Sequence, residues 1–375
     1  MNPFGIPAIV LAAGRSSRMG FCKLLAPLGG KTAMELILEK LREGGVGDVL
    51  VVTGHLHGAI SPVCTGRGVR AVFNPRHGEG MFSSIQAGLS ALPAGIPGFL
   101  LLPGDIPLVR PSTLSGILSM ASPERIVIPS FLGKRGHPPF IGSSFILPLL
   151  KYEGTGGLRE FLESREECIA ETAVPDEGIL MDMDTPEEYR RVSLRAVGLH
   201  VPTEDECLAL FALAGTPPEV VEHSKTVASV TEHLAHALPR GVKADVSLLR
   251  AAALLHDVCR TMPNHDAAGA DFLRRWGFPG SADMVASHMD ISPGAPLENA
   301  LLYLADKLVQ GASILPLHTR ERRKLEMCGD DPVARESIRR RFARARRIAR
   351  RIEALAGCPL EKILSAGHLK LNGLQ

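Results

Sequence analysis

The sequence predicts an α/β half, a three-layer and mostly parallel sheet, followed by an all-helical half. Three observations carry this. Short apolar runs alternate with helix-patterned stretches up to about residue 190. No convincing strand pattern follows residue 205. Nine of the 13 histidines (200, 223, 233, 236, 256, 265, 288, 318 and 368) lie beyond residue 199. Alternating strands and helices argue for a parallel sheet wrapped on both faces.

Residues 6–12 (IPAIVLA) are a continuous apolar run ending near Gly14, the pattern of a buried strand leaving into a loop. A helix-spaced stretch follows at 34–41, then a β-branched run at 49–53. Further strands are expected at 69–73, 98–102 and 125–129, with helices near 80–92 and 111–121. Weaker strand patterns lie at 168–174 and around 140. Gly198, Pro202 and Thr203 mark the join, so the expected domains are 1–198 and 205–375. In the second half the helical patterns are 217–238, 245–258, 265–276, 295–310 and 333–355.

Length and charge bound the function. At roughly 100–200 residues per domain, 375 residues fit two domains. Lys plus Arg number 42 against 40 Asp plus Glu, a formal charge of +2, so no global field selects nucleic acid or an acidic membrane. The seven cysteines are scattered and include no C-x-x-C pair, which fits a reducing compartment. The opening MNPFGIP lacks the basic flank and apolar core of a signal peptide. No apolar run approaches the ~20 residues of a membrane helix. These features together lead us to expect a cytoplasmic protein without a membrane or nucleic-acid partner.

The first candidate site follows the first strand. In Leu11-Ala12-Ala13-Gly14-Arg15-Ser16-Ser17-Arg18 the small residues let the backbone approach a base or phosphate, and loop N–H groups can form an anion nest. Arg15, Arg18 and Lys23 add positive charge where a triphosphate would lie. The segment is neither a P-loop nor G-x-G-x-x-G. Asp105 follows the apolar strand at 98–102, at the strand end where open α/β sheets bind ligands. A carboxylate there suits Mg²⁺. Asp182 and Asp184 alternate on an extended segment, so only one of them is expected to reach the same ion. An alternative role for Asp184 is to cap the following helix.

The motifs LAAGRSSRMG…K, NPRHGEGMFSSIQAGL, LLPGDIPLV, GKRGHPPFIG and MDMDTPEEY stand in the order found in MobA-like nucleotidyltransferases. Residues 6–195 most resemble the molybdenum cofactor cytidylyltransferases, through Ala12-Ala13-Gly14 and Gly136-His137-Pro138. The resemblance implies a Rossmann-like nucleotidyltransferase fold. It also implies attack by an acceptor phosphate on the α-phosphorus of an NTP, CTP by preference, with release of pyrophosphate. Leu11 to Arg15, Arg18, Lys23 and Asp105 would then bind nucleotide, and Lys23, Arg18 and Asp105 would be catalytic. Asp105 and Asp184 would hold Mg²⁺, and Gly136 and His137 would line the acceptor side. The implied acceptor is a molybdopterin-type cofactor, with a molybdoenzyme or its chaperone as a macromolecular partner.

In the second half, His223, the His256-Asp257 dipeptide and Asp306 form an H…HD…D set. Asp306 lies on an apolar helix face, where an unpaired acid is costly. These ligands suit Mn, Fe, Ni, Co, Zn or Mg. His265 and His288 offer imidazoles for a second ion. The set resembles the HD-domain phosphohydrolases, within them the small bacterial type acting on dinucleoside polyphosphates. That resemblance covers 217–312 and implies metal-dependent hydrolysis of a nucleotide or phosphate ester. The Arg-rich run 335–351 carries Ile338, Phe342, Ala345, Ile348, Ile352 and Leu355 at helical spacing, an apolar stripe with arginines pointing to water. The leading reading is a bifunctional enzyme. The alternative is a transferase for a sugar or other phosphate, with a regulatory, non-catalytic HD domain.

Overall fold

The computed structural model describes residues 5–15, 19–239, 241–292 and 294–366. It consists of two compact units, Met1–Leu199 and His200–Gln375.

The first unit is built on an eight-stranded sheet. Its main path runs Ile169–Ala173, Ile126–Phe131, Phe140–Gly142, Gly98–Pro103, Ala8–Ala12, Val49–Thr53 and Arg70–Phe73, with Lys134–Arg135 paired to Ile126–Phe131 off this path. The first strand is parallel to both neighbours, with Ala8 opposite Val49 on one side and Leu100 on the other. Winding therefore reverses at the first strand, and the crevice beyond its carboxyl end is where such sheets take ligands.

The sheet is mixed. Phe140–Gly142 runs antiparallel to both its neighbours. Both faces are buried by alternating side chains. Ile9, Leu50, Val52, Phe99, Leu101, Ile126 and Ile128 pack on one face with Ile85 and Leu89 from the Met81–Ser90 helix. Gly88 lets that helix come close, since a Cβ there would lie 2.8 Å from the Ile9 Cγ2 methyl. Helix Ala33–Glu43 buries Met34, Ile37, Leu38 and Leu41, and starts in a capping box of Thr32 with Glu35.

The second unit is helical. Pro218–His236 packs against Val246–Leu255 and Leu297–Leu308, and His265–Arg275 packs against Pro279–Ala286. The core gathers Val227, Val230, Leu234, Leu249, Leu255, Leu301 and Leu304. The helical pattern at 295–310 ends at Leu308, where the chain turns into a small hairpin, Val309–Gln310 with Ser313–Ile314. The Arg-rich stretch is helix Pro332–Ala356, which buries Phe342, Ala345, Ala349 and Ile352, and Tyr303 donates to the Arg341 carbonyl at 3.1 Å. Among the described residues, no helix is long and apolar enough to cross a membrane.

Candidate active sites

The site of the first unit lies at the carboxyl ends of adjacent strands. Ala8–Ala12 leads into Ala13 and Gly14, and Gly98–Pro103 leads into Gly104 and Asp105. The two turns touch through Gly104, whose N–H donates to the Leu11 carbonyl at 2.9 Å. A Cβ on Gly104 would sit 2.8 Å from that oxygen, so only glycine brings the turns this close. Around Gly14, by contrast, a Cβ would meet nothing within 4 Å. A cavity of about 290 Å³ opens there, lined by Leu11 to Gly14, Lys23, His77, Ser84 and Asp105, among others.

Lys23 stands in the short helical turn Lys23–Leu25. Its Nζ lies 2.7 Å from Asp105 Oδ2 and 2.6 Å from Asp184 Oδ1, bringing together residues 161 positions apart. Burial alone would lower the ammonium pKa, but the carboxylates of Asp105 and Asp184 outweigh it and hold it above its usual value. Asp184 does not cap the next helix. Thr185 does, accepting from Glu188 N at 3.2 Å, while Glu188 Oε2 accepts from the backbone N–H of Asp184 and Thr185. The capping box thus fixes the backbone that aims Asp184 at Lys23. Asp182 faces a less hydrated setting, and burial, then the charges of Glu188, Asp184 and Asp105, push its carboxyl pKa up.

Arg15 is exposed and does not line the cavity. Arg18 lies outside the described residues. Gly136 and His137 line a neighbouring cavity of about 860 Å³ with Phe82, Ile85 and Arg135. Gly80 and Met81 line both cavities, which therefore adjoin. Burial lowers the His137 pKa against the pull of Asp105, so the imidazole is neutral near pH 7. The backbone of this wall is tied down by Gly136 N to Pro129 O at 2.8 Å and His137 N to Ile179 O at 3.0 Å.

In the second unit, residues from five helical segments or their ends converge. His256 Nδ1 lies 2.8 Å from the Ala253 carbonyl, His288 Nδ1 2.7 Å from the Val285 carbonyl, and His223 Nδ1 3.2 Å from the Gly311 carbonyl. A carbonyl only accepts, so each Nδ1 carries the proton and each Nε2 presents a lone pair. These Nε2 atoms face carboxylates. His223 lies 3.4 Å from Asp306 Oδ1, His256 3.6 Å from Asp257 Oδ2, and His265 and His288 lie 3.1 and 3.5 Å from Asp257 Oδ1. The buried His256 Nε2, His288 Nε2 and Asp257 Oδ1 have no hydrogen-bond partner. Leaving buried polar atoms unpaired is costly, and a divalent cation among them removes that cost.

Among the described residues, two ligand groups meet the distance requirement for a metal, His223 with His256 and Asp257, and Asp257 with His265 and His288. Asp257 belongs to both. Asp306 adjoins the first group. Burial opposes its ionisation, yet Lys307 at 2.5 Å and the facing His223 hold its carboxyl well below the usual range. Burial takes the His256 pKa down to about 4.

The cationic wall of this site carries no signature in the sequence. A cavity of about 570 Å³ over the cluster is lined by Arg260, Lys307, Arg320 and Lys324. Arg320 and Lys324 lie on helix Leu317–Met327, and burial lowers both pKa values. In the segment LHTRERRKLEM nothing in the one-letter pattern separates these two cations from their exposed neighbours. In the first unit, His77 and Ser84 also line the cavity, and both stand in NPRHGEGMFSSI, where the motif gives the signal that points to them.

Residues 8–169 match the model of the MobA-like NTP transferase domain, and residues 220–310 match that of the HD domain. The purine catabolism protein PucB of Bacillus subtilis is 32% identical over 196 residues, covering 49% of this chain and 94% of PucB. The molybdenum cofactor cytidylyltransferase of Escherichia coli is 22% identical over 185 residues, covering 49% of this chain and 93% of the relative. Among solved structures, a nucleotidyl transferase from Methanothermobacter thermautotroptrophicus is 27% identical, covers 52% of this chain and 98% of its own, and superposes with a TM-score of 0.47. The chain belongs to the MobA-like NTP transferases through its N-terminal half, and its C-terminal half carries an HD domain.

Proposed function

We propose that the N-terminal domain transfers a nucleotidyl group from an NTP, CTP by preference, to a molybdopterin-type cofactor. The observation that carries this reading is the convergence of Asp105, Asp184 and Lys23 beside the open Gly14 turn. The acceptor phosphate oxygen attacks the α-phosphorus, the bond to the bridging oxygen breaks, and pyrophosphate leaves. Asp105 and Asp184 are a fitting carboxylate pair for Mg²⁺, which when bound neutralises phosphate charge. Ala12, Ala13 and Gly14 let the nucleotide approach the backbone. Lys23 supplies a cation for the phosphates, with Arg18 as its expected companion. Catalysis is then positioning and charge complementarity rather than covalent chemistry. Gly136 and the neutral His137 line the adjoining cavity, where the acceptor would reach the nucleotide without crossing bulk water.

We assign to the HD domain a metal-dependent hydrolysis of a nucleotide or other phosphate ester. His223, His256, Asp257, His265, His288 and Asp306 would hold one or two ions, whose Lewis acidity is the chemistry they bring. Arg260, Lys307, Arg320 and Lys324 give the cavity a positive lining that draws a phosphate in.

The transferase reading is tested on the purified chain with Mg²⁺, an NTP and candidate acceptors, following pyrophosphate. CTP with a molybdopterin-type acceptor should give the fastest release, and Asp105→Ala should lower it by about 10²–10³-fold. Equal release with a sugar phosphate would favour the other acceptor class. Absence of any metal-dependent phosphate release from nucleotides would favour a regulatory HD domain.

A further inference from the structure

Lys23 stands where a cation shared by Asp105 and Asp184 would have to be. Its Nζ is within 2.7 Å of one carboxylate and 2.6 Å of the other. A magnesium ion bound to both would need to lie ~2.0–2.1 Å from an oxygen of each, in the space the ammonium fills. Two cations there would repel strongly in a partly desolvated site. The ammonium is also the most enclosed of the three, its side chain 14% exposed against 24% for Asp105 and 45% for Asp184.

We propose that Lys23 is the resident counter-ion of the Asp105–Asp184 pair and must be drawn away before a divalent metal can bind, so that metal and nucleotide load together. The inference rests on the reading of these two aspartates as the metal pair. Lys23 also lines the 290 Å³ cavity beside Gly14, so its long side chain reaches both the carboxylates and the place where phosphates would lie. A triphosphate entering that cavity offers the ammonium a new anion and leaves the carboxylates open to the metal it brings. Because binding free energies are linked, nucleotide raises metal affinity by the same factor as metal raises nucleotide affinity. Metal alone meets a site already neutralised by one charge.

The test is a Mn²⁺ titration of the full chain without nucleotide, reading free Mn²⁺ by electron paramagnetic resonance. The binding lost in Asp105→Asn defines this site and separates it from the HD cluster. Lys23→Met should tighten Mn²⁺ at this site by about tenfold or more, whereas Lys23→Arg, which keeps the charge, should stay close to the unmodified chain. Unchanged or weaker Mn²⁺ binding in a folded Lys23→Met chain overturns the proposal. A second arm needs no variant. Adding α,β-methylene-CTP should raise Mn²⁺ affinity at this site by a similar factor, and equal affinity with and without it also overturns the proposal. Mn²⁺ competition without pyrophosphate release from any NTP would sink the transferase reading and leave the counter-ion role standing. The reverse pattern would do the opposite.

Discussion

The two sites solve the same problem, gathering charged or polar ligands for a cation, by different means. In the first unit, carboxylates arrive from strand ends and a helix start, and a lysine satisfies them. In the second, imidazoles arrive from helices, His223, His256 and His288 each held by a backbone carbonyl, and the inward Nε2 atoms of His256 and His288 are left unpaired. In the first site one lysine ammonium already answers both carboxylates. In the second, a bound cation would satisfy atoms that the protein leaves open. A family of fold elements does not decide this. The difference lies in whether one protein cation bridges the facing carboxylates, as Lys23 does, or stands at the edge of the cluster, as Lys307 and Arg260 do, and leaves its central atoms unpaired.

The largest effect expected from this contrast is on metal retention. Asp257 serves both ligand groups, whereas His265 serves one. Elemental analysis of the desalted Mn²⁺-loaded chain should show Asp257→Asn losing all metal held by the HD cluster, and His265→Ala losing only half of it. Equal losses in the two variants would mean that the groups do not share their carboxylate.

A smaller effect should appear in the pH dependence of the metal-free HD domain. Burial holds the His256 pKa near 4, below the ordinary 6.5. A depressed pKa contributes stability that is fully present above about 6.5 and is lost as pH falls through about 4. Crossing that window is worth on the order of 3 kcal/mol. Thermal melting of the chelator-stripped protein should therefore show the His256-containing unit losing stability between pH 6.5 and 4, and His256→Gln should flatten that slope. An unaltered slope in the variant would assign the pH response elsewhere.

The smallest effect concerns the transferase site. Thr185→Ala removes one half of the capping box that steadies the Asp184 backbone. It should cost about 1 kcal/mol, measured by denaturant unfolding, while raising the nucleotide KM more than it lowers kcat. A loss confined to stability would show that the cap does not position Asp184.

Particular residues show how far the sequence could be read. The runs at 6–12, 49–53 and 98–102 are continuous because their strands are buried on both faces, so they stand out as strands. Phe140–Gly142 is only three residues long and follows Pro138 and Pro139, and its antiparallel direction comes from pairings with distant strands that no local pattern encodes. His256-Asp257 is conspicuous because a polar pair ends an apolar run. Arg320 and Lys324 are not, since their burial is imposed by the packing of the Leu317–Met327 helix rather than by their neighbours in sequence. Arg15 shows the opposite case, a basic residue close to the Gly14 turn that faces solvent.

The common boundary at Gly80 and Met81 has a consequence for how such an enzyme can diversify. The cavity with the Gly14 turn, Lys23 and Asp105, where the proposed function places the nucleotide, lies on one side of these two residues, and the chamber around Arg135 to His137 lies on the other. Substitutions that reshape the far chamber leave the carboxylates, the lysine and the glycine turn untouched. On the proposed function, new acceptors could thus be tried against an unaltered reaction centre, one compartment varying while its neighbour is held constant.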